Sequence, residues 1–352
     1  VVLKAGRVVF GLVAALAATV ALSGCRERVR ADGAPLQTVA KFGEVGVNPG
    51  QFTYPRALTN DGQSLWVIDK SARVQRLDPG TGESSALWTM PDWAMGKPCG
   101  VSIGPDGLLY IPDTHYFRVM VYRRDAGIRK PPELVASFGS LGEGPGQFMY
   151  LTDVAFLPTP DGTGIERMYV GEYGGNDRIS VFDGTYRFLF SFGVNGEADD
   201  ESKIHFSRPQ SIEVDADRRL LVVTDACHHR VGVFDVDGHL VRWIGRPGSG
   251  AGEFAYPYGV ALLGDGTAMV TEFGNHRVSH VDYETGTILG TYGRPGRGPG
   301  ELTNPWAATV LDGKVFVLDS GNDRVQAFAA PRPIRREAGV RAADGSGRGG
   351  PR

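Results

Sequence analysis

Apolar and polar residues alternate along most of the chain in short runs, as in Gly259 to Leu262, Ala268 to Thr271, Arg277 to Val281 and Thr287 to Tyr292. A period of two is the pattern of a strand with one buried face. No segment of comparable length carries helical periodicity, so the pattern predicts an all-β fold. The runs come in groups of four, and one polar turn recurs inside each group. In Thr271-Glu272-Phe273-Gly274-Asn275-His276-Arg277-Val278 an acid ends one run and an arginine opens the next. Variants recur from Asp69 to Val74, Asp113 to Val119, Glu172 to Ile179, Asp225 to Val231 and Asp319 to Val325. The repeated arginines Arg73, Arg118, Arg178, Arg230, Arg277 and Arg324 lie about 50 residues apart on average, the length of a propeller blade. Six such groups predict a six-bladed β-propeller of four-stranded antiparallel blades.

The links between groups share a second pattern. Phe138-Gly139, Phe192-Gly193, Ile244-Gly245 and Tyr292-Gly293 end a fourth run, and glycine-rich segments such as 139–148 follow, with a near copy at 43–52. A nucleotide-binding reading of these glycines fails because no helical pattern follows them. One copy of the ending, Thr38 to Gly43, precedes the first blade, and the sixth blade stops after its third strand at Phe328. The two ends complete each other. Residues 37–42 are expected to be the outer strand of blade six, which closes the ring and covers an open edge.

Asn275-His276-Arg277-Val278, Asn322-Asp323-Arg324-Val325 and Asn176-Asp177-Arg178-Ile179 resemble the turns of the NHL-repeat family. The resemblance covers residues 37–330. Blades one and two depart most: Ser71-Ala72-Arg73 is one residue short, and His115-Tyr116-Phe117-Arg118 lacks Asn. Both departures concern turn geometry rather than the fold.

Outside the repeats, Lys4 and Arg7 precede an apolar run from Val8 to Leu22, ending in Leu22-Ser23-Gly24-Cys25. The run is short for a membrane span, which needs about 20 residues, and reads as an export signal over 1–25. Its last four residues resemble the lipobox of bacterial lipoproteins, which implies lipidation of Cys25. The alternative is an ordinary secreted protein cleaved nearby. Arg26 rather than Asp follows, so the inner-membrane retention signal of enteric lipoproteins is absent. The expected location is the cell envelope, facing the periplasm or exterior, in the outer membrane of a Gram-negative cell. Residues 26–36 read as a tether and 331–352 as a disordered basic tail. The net charge of −3 falls to −5 once Lys4 and Arg7 are removed, which argues against a nucleic-acid partner. Two further cysteines, Cys99 and Cys227, are not a disulfide framework.

The six acid–arginine pairs read as scaffold, since a catalytic acid would occur once or twice. The family resemblance implies another site. Its innermost strands open with Pro-x-Gly or Pro-x-Ala, x facing the central channel. The matching positions are Arg56, Cys99, Thr152, Gln210, Tyr258 and Trp306, with Leu151 replacing the proline of blade three. One arginine and two aromatics among small polar groups suit recognition of a protein, peptide or glycan, while the plainer reading is a plug that fills the channel. The zinc-binding peptidyl-hydroxyglycine lyases of similar fold place histidines at these positions, and none is His here. Calcium-dependent lactonases need several acids and amides, and only Gln210 is of that kind, with Asp153 one residue off register. Asp225-Ala226-Cys227-His228-His229 offers Cys227 and His228 as weak metal candidates, but adjacent residues rarely converge on one ion. No nucleophile elbow or phosphate loop occurs. The sequence thus predicts a lipid-anchored, non-catalytic binding module without cofactor. A propeller lyase or hydrolase with an atypical channel-mouth site is the alternative.

Overall fold

The computed structural model describes residues 37–199 and 202–332. The export signal, Cys25, the tether and nearly all of the basic tail lie outside the described residues.

Six four-stranded antiparallel sheets form the ring predicted by the alternation. Blade one comprises Pro55–Asn60, Leu65–Asp69, Arg73–Leu77 and Ser84–Thr89. Blade two comprises Ser102–Ile103, Leu109–Asp113, Arg118–Tyr122 and Leu134–Phe138. Blade three comprises Tyr150–Pro158, Ile165–Tyr173, Arg178–Phe182 and Phe188–Phe192. Blade four comprises Pro209–Asp215, Leu220–Asp225, Arg230–Asp235 and Leu240–Ile244. Blade five comprises Pro257–Leu262, Thr267–Glu272, Arg277–Asp282 and Thr287–Tyr292. Blade six contributes Pro305–Leu311, Lys314–Asp319 and Arg324–Ala329, and its outer strand is Thr38–Phe42. That strand pairs antiparallel with the third, Phe42 opposite Val325 and Thr38 opposite Phe328. The N-terminal strand therefore closes the ring, as the orphan ending implied.

Alternation places one face of each strand against its own neighbour blade. Trp66, Val74 and Trp88 of blade one pack with Ile111, Met120 and Tyr122 of blade two, and comparable layers recur around the ring. The core is thus a set of apolar layers between blades, not one central cluster.

The recurring acid and arginine bind the links. Arg178, Arg277 and Arg324 each meet their acid at 2.7 Å, and Arg230 meets Asp225 at 2.9 Å. Arg73 pairs with Asp69 in the same way. In these five blades the acid also accepts a link amide: Thr53, Met149, Ser207, Ala255 and Thr303 donate in turn. The same arginines donate to link carbonyls, of Gly46, Gln147, His205, Glu253 and Glu301. Charge-assisted bonds to both sides of a link hold it as a rigid loop. Each link also buries one plug: Phe52, Phe148, Phe206, Phe254 or Leu302. The glycine opening the link is required by that plug. At Gly245, φ is +83° and a Cβ would lie 2.3 Å from the Phe254 ring.

Candidate functional site

Five of the six inner strands open with a β-bulge, the short Ser102–Ile103 strand of blade two being the exception. In blade five Tyr258 and Gly259 lie between the Pro257–Glu272 and Val260–Val270 pairs, so two residues face one on the neighbouring strand. A bulge re-aims a side chain, and here it turns the residue after proline toward the channel. A cavity of about 340 Å³ results, at the small end of the usual range for ligand sites. Its walls include Arg56, Cys99, Gln210, Tyr258 and Trp306, five of the six residues expected from sequence.

Thr152, the sixth, is a correction. It is fully buried and is not part of the cavity wall. Its side chain is turned toward blade four instead, the hydroxyl donating to the Pro209 carbonyl at 2.6 Å. Blades four and five make the equivalent tie from the second strand, Thr224 donating to the Tyr258 carbonyl and Thr271 to that of Trp306. Blade three has Gly171 at that position, where a Cβ would lie 2.7 Å from the Thr152 hydroxyl. Thr152 therefore replaces a structural threonine, and Asp153 enters the channel wall.

At the mouth, Arg56, Trp306 and Tyr258 form a contiguous arc. The Arg56 guanidinium lies 5.0 Å from the Trp306 ring centre, and the Trp306 and Tyr258 centres are 4.8 Å apart. Sequence reasoning missed the neighbours that extend the arc. Phe273 stacks on Tyr258 at 4.7 Å, and Tyr54 meets Trp306 edge-on at 6.1 Å. Arg208 lies between Tyr258 and Tyr173, 5.1 and 4.8 Å from their centres, and donates to Gln210. Tyr54 and Arg208 precede the strand-opening prolines and adopt positive φ, a constraint not readable from residue type. Two buried donors, the Arg56 Nε and the Trp306 indole N–H, have no partner among the described residues.

Deeper in the channel lie Asp153 and Glu213, the second of which the sequence reading passed over. Asp153 accepts from the Ser211 hydroxyl, the Ile212 amide and the Val154 amide at 2.9–3.0 Å. Burial pushes its carboxyl up to about 6 despite these bonds. Burial, and then the charge of Asp153, push Glu213 up to about 8. Two neighbouring carboxylates, half-buried in the channel wall, resist double ionisation.

The remaining candidates diverge. His228 Nδ1 lies 2.8 Å from Asp225, whereas His229 Nδ1 accepts the Tyr256 amide at 3.0 Å. Cys227 is exposed, Cys99 is buried, and both are free thiols. Among the described residues, no three His, Cys, Asp or Glu side chains converge in metal-binding geometry.

A family model described as a 6-bladed beta-propeller, DUF5128, matches residues 199–278. Among solved structures, a protein of unknown function from Bacteroides thetaiotaomicron is similar at 14% identity and a TM-score of 0.60, covering 84% of this chain and 75% of that one. A streptogramin B lyase structure shares 14% identity at a TM-score of 0.54, over 83% of this chain and 87% of its own. Virginiamycin B lyase from Staphylococcus aureus shares 12% identity at 0.53, over 82% and 98%. At such identities the likeness establishes the propeller fold alone.

Proposed function

We propose that this propeller is a lipid-anchored, extracytoplasmic NHL-type module that binds a protein, peptide or glycan ligand at its channel mouth without catalysing a reaction. The observation that carries the proposal is the Arg56–Trp306–Tyr258 arc, continued by Phe273 and Arg208. It sets two cations beside several aromatic faces, suited to a ligand with an anionic group and an apolar or sugar face. The unpartnered indole N–H and Arg56 Nε are donors that such a ligand can satisfy. Anchoring rests on Cys25 and its preceding apolar run.

The test is to capture a ligand by pull-down with the purified domain and titrate it against Trp306→Ala and Arg56→Ala. Each substitution is expected to weaken binding by roughly 2 kcal/mol. A plug role predicts lower melting temperatures with unchanged affinity. A second reading, a propeller lyase or hydrolase, draws on Asp153 and Glu213, whose shifted carboxyls could exchange protons with a substrate. It requires turnover of the captured ligand, lost in Glu213→Gln.

A further inference from the structure

We propose that Asp153 and Glu213 form an ammonium subsite, and that the ligand of this channel is a peptide segment bearing both an ammonium and an anionic group, the latter meeting Arg56. The inference deepens the binding reading above and rests on it. Asp153, Glu213 and Arg56 are the charged residues in the wall of the cavity, and Cys99 and Tyr258 are its other titratable groups. Arg56 sits at the mouth over Trp306, on blade one, while Glu213 projects from blade four on the far side of the ring. The cavity therefore has a positive rim and an acidic floor, joined by the faces of Trp306 and Tyr258.

The acidic floor lacks a counter-ion. Among the described residues, neither Asp153 nor Glu213 forms an ion pair, and Glu213 has no hydrogen-bond partner. A half-buried carboxylate without a cation loses part of its water to the channel wall, and that loss holds the pair toward its protonated form. A ligand ammonium supplies the missing charge and donates three hydrogen bonds. A hard metal ion would need six or more oxygens. Here Asp153 already accepts from Ser211 and two amides, and Thr309 accepts from Asn60 at 2.7 Å. Trp306, 6% exposed with its indole N–H unpartnered, is an independent mark of a site prepared for a ligand.

Binding through this subsite exchanges a proton for an ammonium. Burial raises both carboxyls and the charge of Asp153 raises Glu213 further, so the pair is increasingly ionised as pH rises. Affinity should therefore climb with pH, with proton release at neutral pH.

Calorimetric titration of the propeller with 6-aminohexanoate tests this, beside N-acetyl-6-aminohexanoate, which lacks the cation, and 6-aminohexanamide, which lacks the anion. The probe's ammonium stays charged well above neutrality, near pKa 10.4 as in lysine, so any pH dependence belongs to the protein. The expected result is at least about tenfold tighter binding of 6-aminohexanoate at about pH 8.5 than at about pH 5.5. Glu213→Gln should weaken the two amines about tenfold or more and leave the acetylated compound unchanged. Asp153→Asn should act in the same direction, with melting temperatures checking that each variant is folded. Acetylated and free amine binding equally, pH-independent binding, or no binding by any probe at tens of millimolar would overturn the proposal. Failure of the mouth reading alone looks different: 6-aminohexanamide still binds through Glu213, while Arg56→Ala and Trp306→Ala change nothing.

Discussion

Blade two and blades three to six follow the same repeat, but their links are held differently. In blade five, Glu272 accepts bonds from Arg277, Asn275, Ser279 and the Ala255 amide, and Arg277 reaches the carbonyls of Ser249 and Glu253. In blade two, Asp113 is paired only with Arg118, and its Oδ1 has no partner among the described residues. Arg118 is partly exposed and makes its shorter contact, 2.5 Å, with Asp92 of the link. The difference follows from the chain before the blade. After Trp88-Thr89-Met90 no glycine opens the link and no aromatic plug closes it. Instead 91–97 carries exposed Trp93 and Met95 over the turn, the Met95 amide donating to the Tyr116 hydroxyl at 3.3 Å.

A second device separates the same regions. In blades three to six the turn residue before the arginine adopts positive φ and accepts the amide that precedes the next inner strand. Asp177 accepts from Arg208, His229 from Tyr256, His276 from Asn304 and Asp323 from Tyr54, at 2.6–3.0 Å. Blades one and two hold the same backbone conformation with Ala72 and Phe117, whose side chains offer no acceptor. A repeat can thus keep its backbone while losing the bond that joins it to its neighbour.

The comparison breaks most directly at the acids. Glu272→Gln should cost about 3 kcal/mol or more, because it leaves the buried Arg277 guanidinium without a counter-charge. Asp113→Asn should cost less than about 1 kcal/mol, since Arg118 keeps Asp92 and solvent. Urea midpoints of the two variants measure the contrast. Equal losses would mean that the two acids do the same work despite their different partners.

This contrast was partly legible in the sequence. The missing Phe-Gly ending after blade one and the irregular turns at Ser71 to Arg73 and His115 to Arg118 mark the two blades that lack the inter-blade acceptor. Strand number, closure by residues 37–42 and the scaffold role of the acids followed from period and recurrence. The site was less legible. Five of the six channel residues follow the Pro-x register, but Thr152 fails because Gly171, far off in sequence, leaves the threonine a structural bond to make. Glu213 sits inside an alternating strand and looks like any solvent-facing acid; only the ring turns its face inward. Arg218 and Arg219, in the turn after the inner strand of blade four, bridge blades through Glu284 and Glu166, which residue type alone does not show.

A pH series sharpens the comparison with a smaller effect. Burial pushes Asp113 up to about 6, with Arg118 opposing. The fold therefore favours the protonated acid, a contribution present below the unfolded pKa of 3.8 and lost as pH rises through about 6. Wild type should lose stability relative to Asp113→Asn between pH 4 and 7, by at most about 1.4 kcal/mol per pH unit. Parallel pH profiles would show that the orphaned oxygen is solvated.

The smallest effect concerns where the ring opens. Its covalent gap lies in blade six, where Thr38–Phe42 is held without a chain connection to its partner strand. That seam is nonetheless reinforced, because Asp323 accepts the Tyr54 amide at 2.6 Å and Asp69 accepts that of Thr53 at 3.1 Å. The link before blade two has neither bond. Local opening follows the weakest contacts rather than the gap in connectivity. Hydrogen exchange should accordingly be faster across 90–98 than across 38–54, by about tenfold, which corresponds to about 1.4 kcal/mol. His276→Ala should raise exchange at Asn304, whose amide it frees, whereas His115→Ala should leave 90–98 unchanged. If 38–54 exchanges first, non-covalent closure governs the opening of the ring, and the different links of blade two have no mechanical consequence.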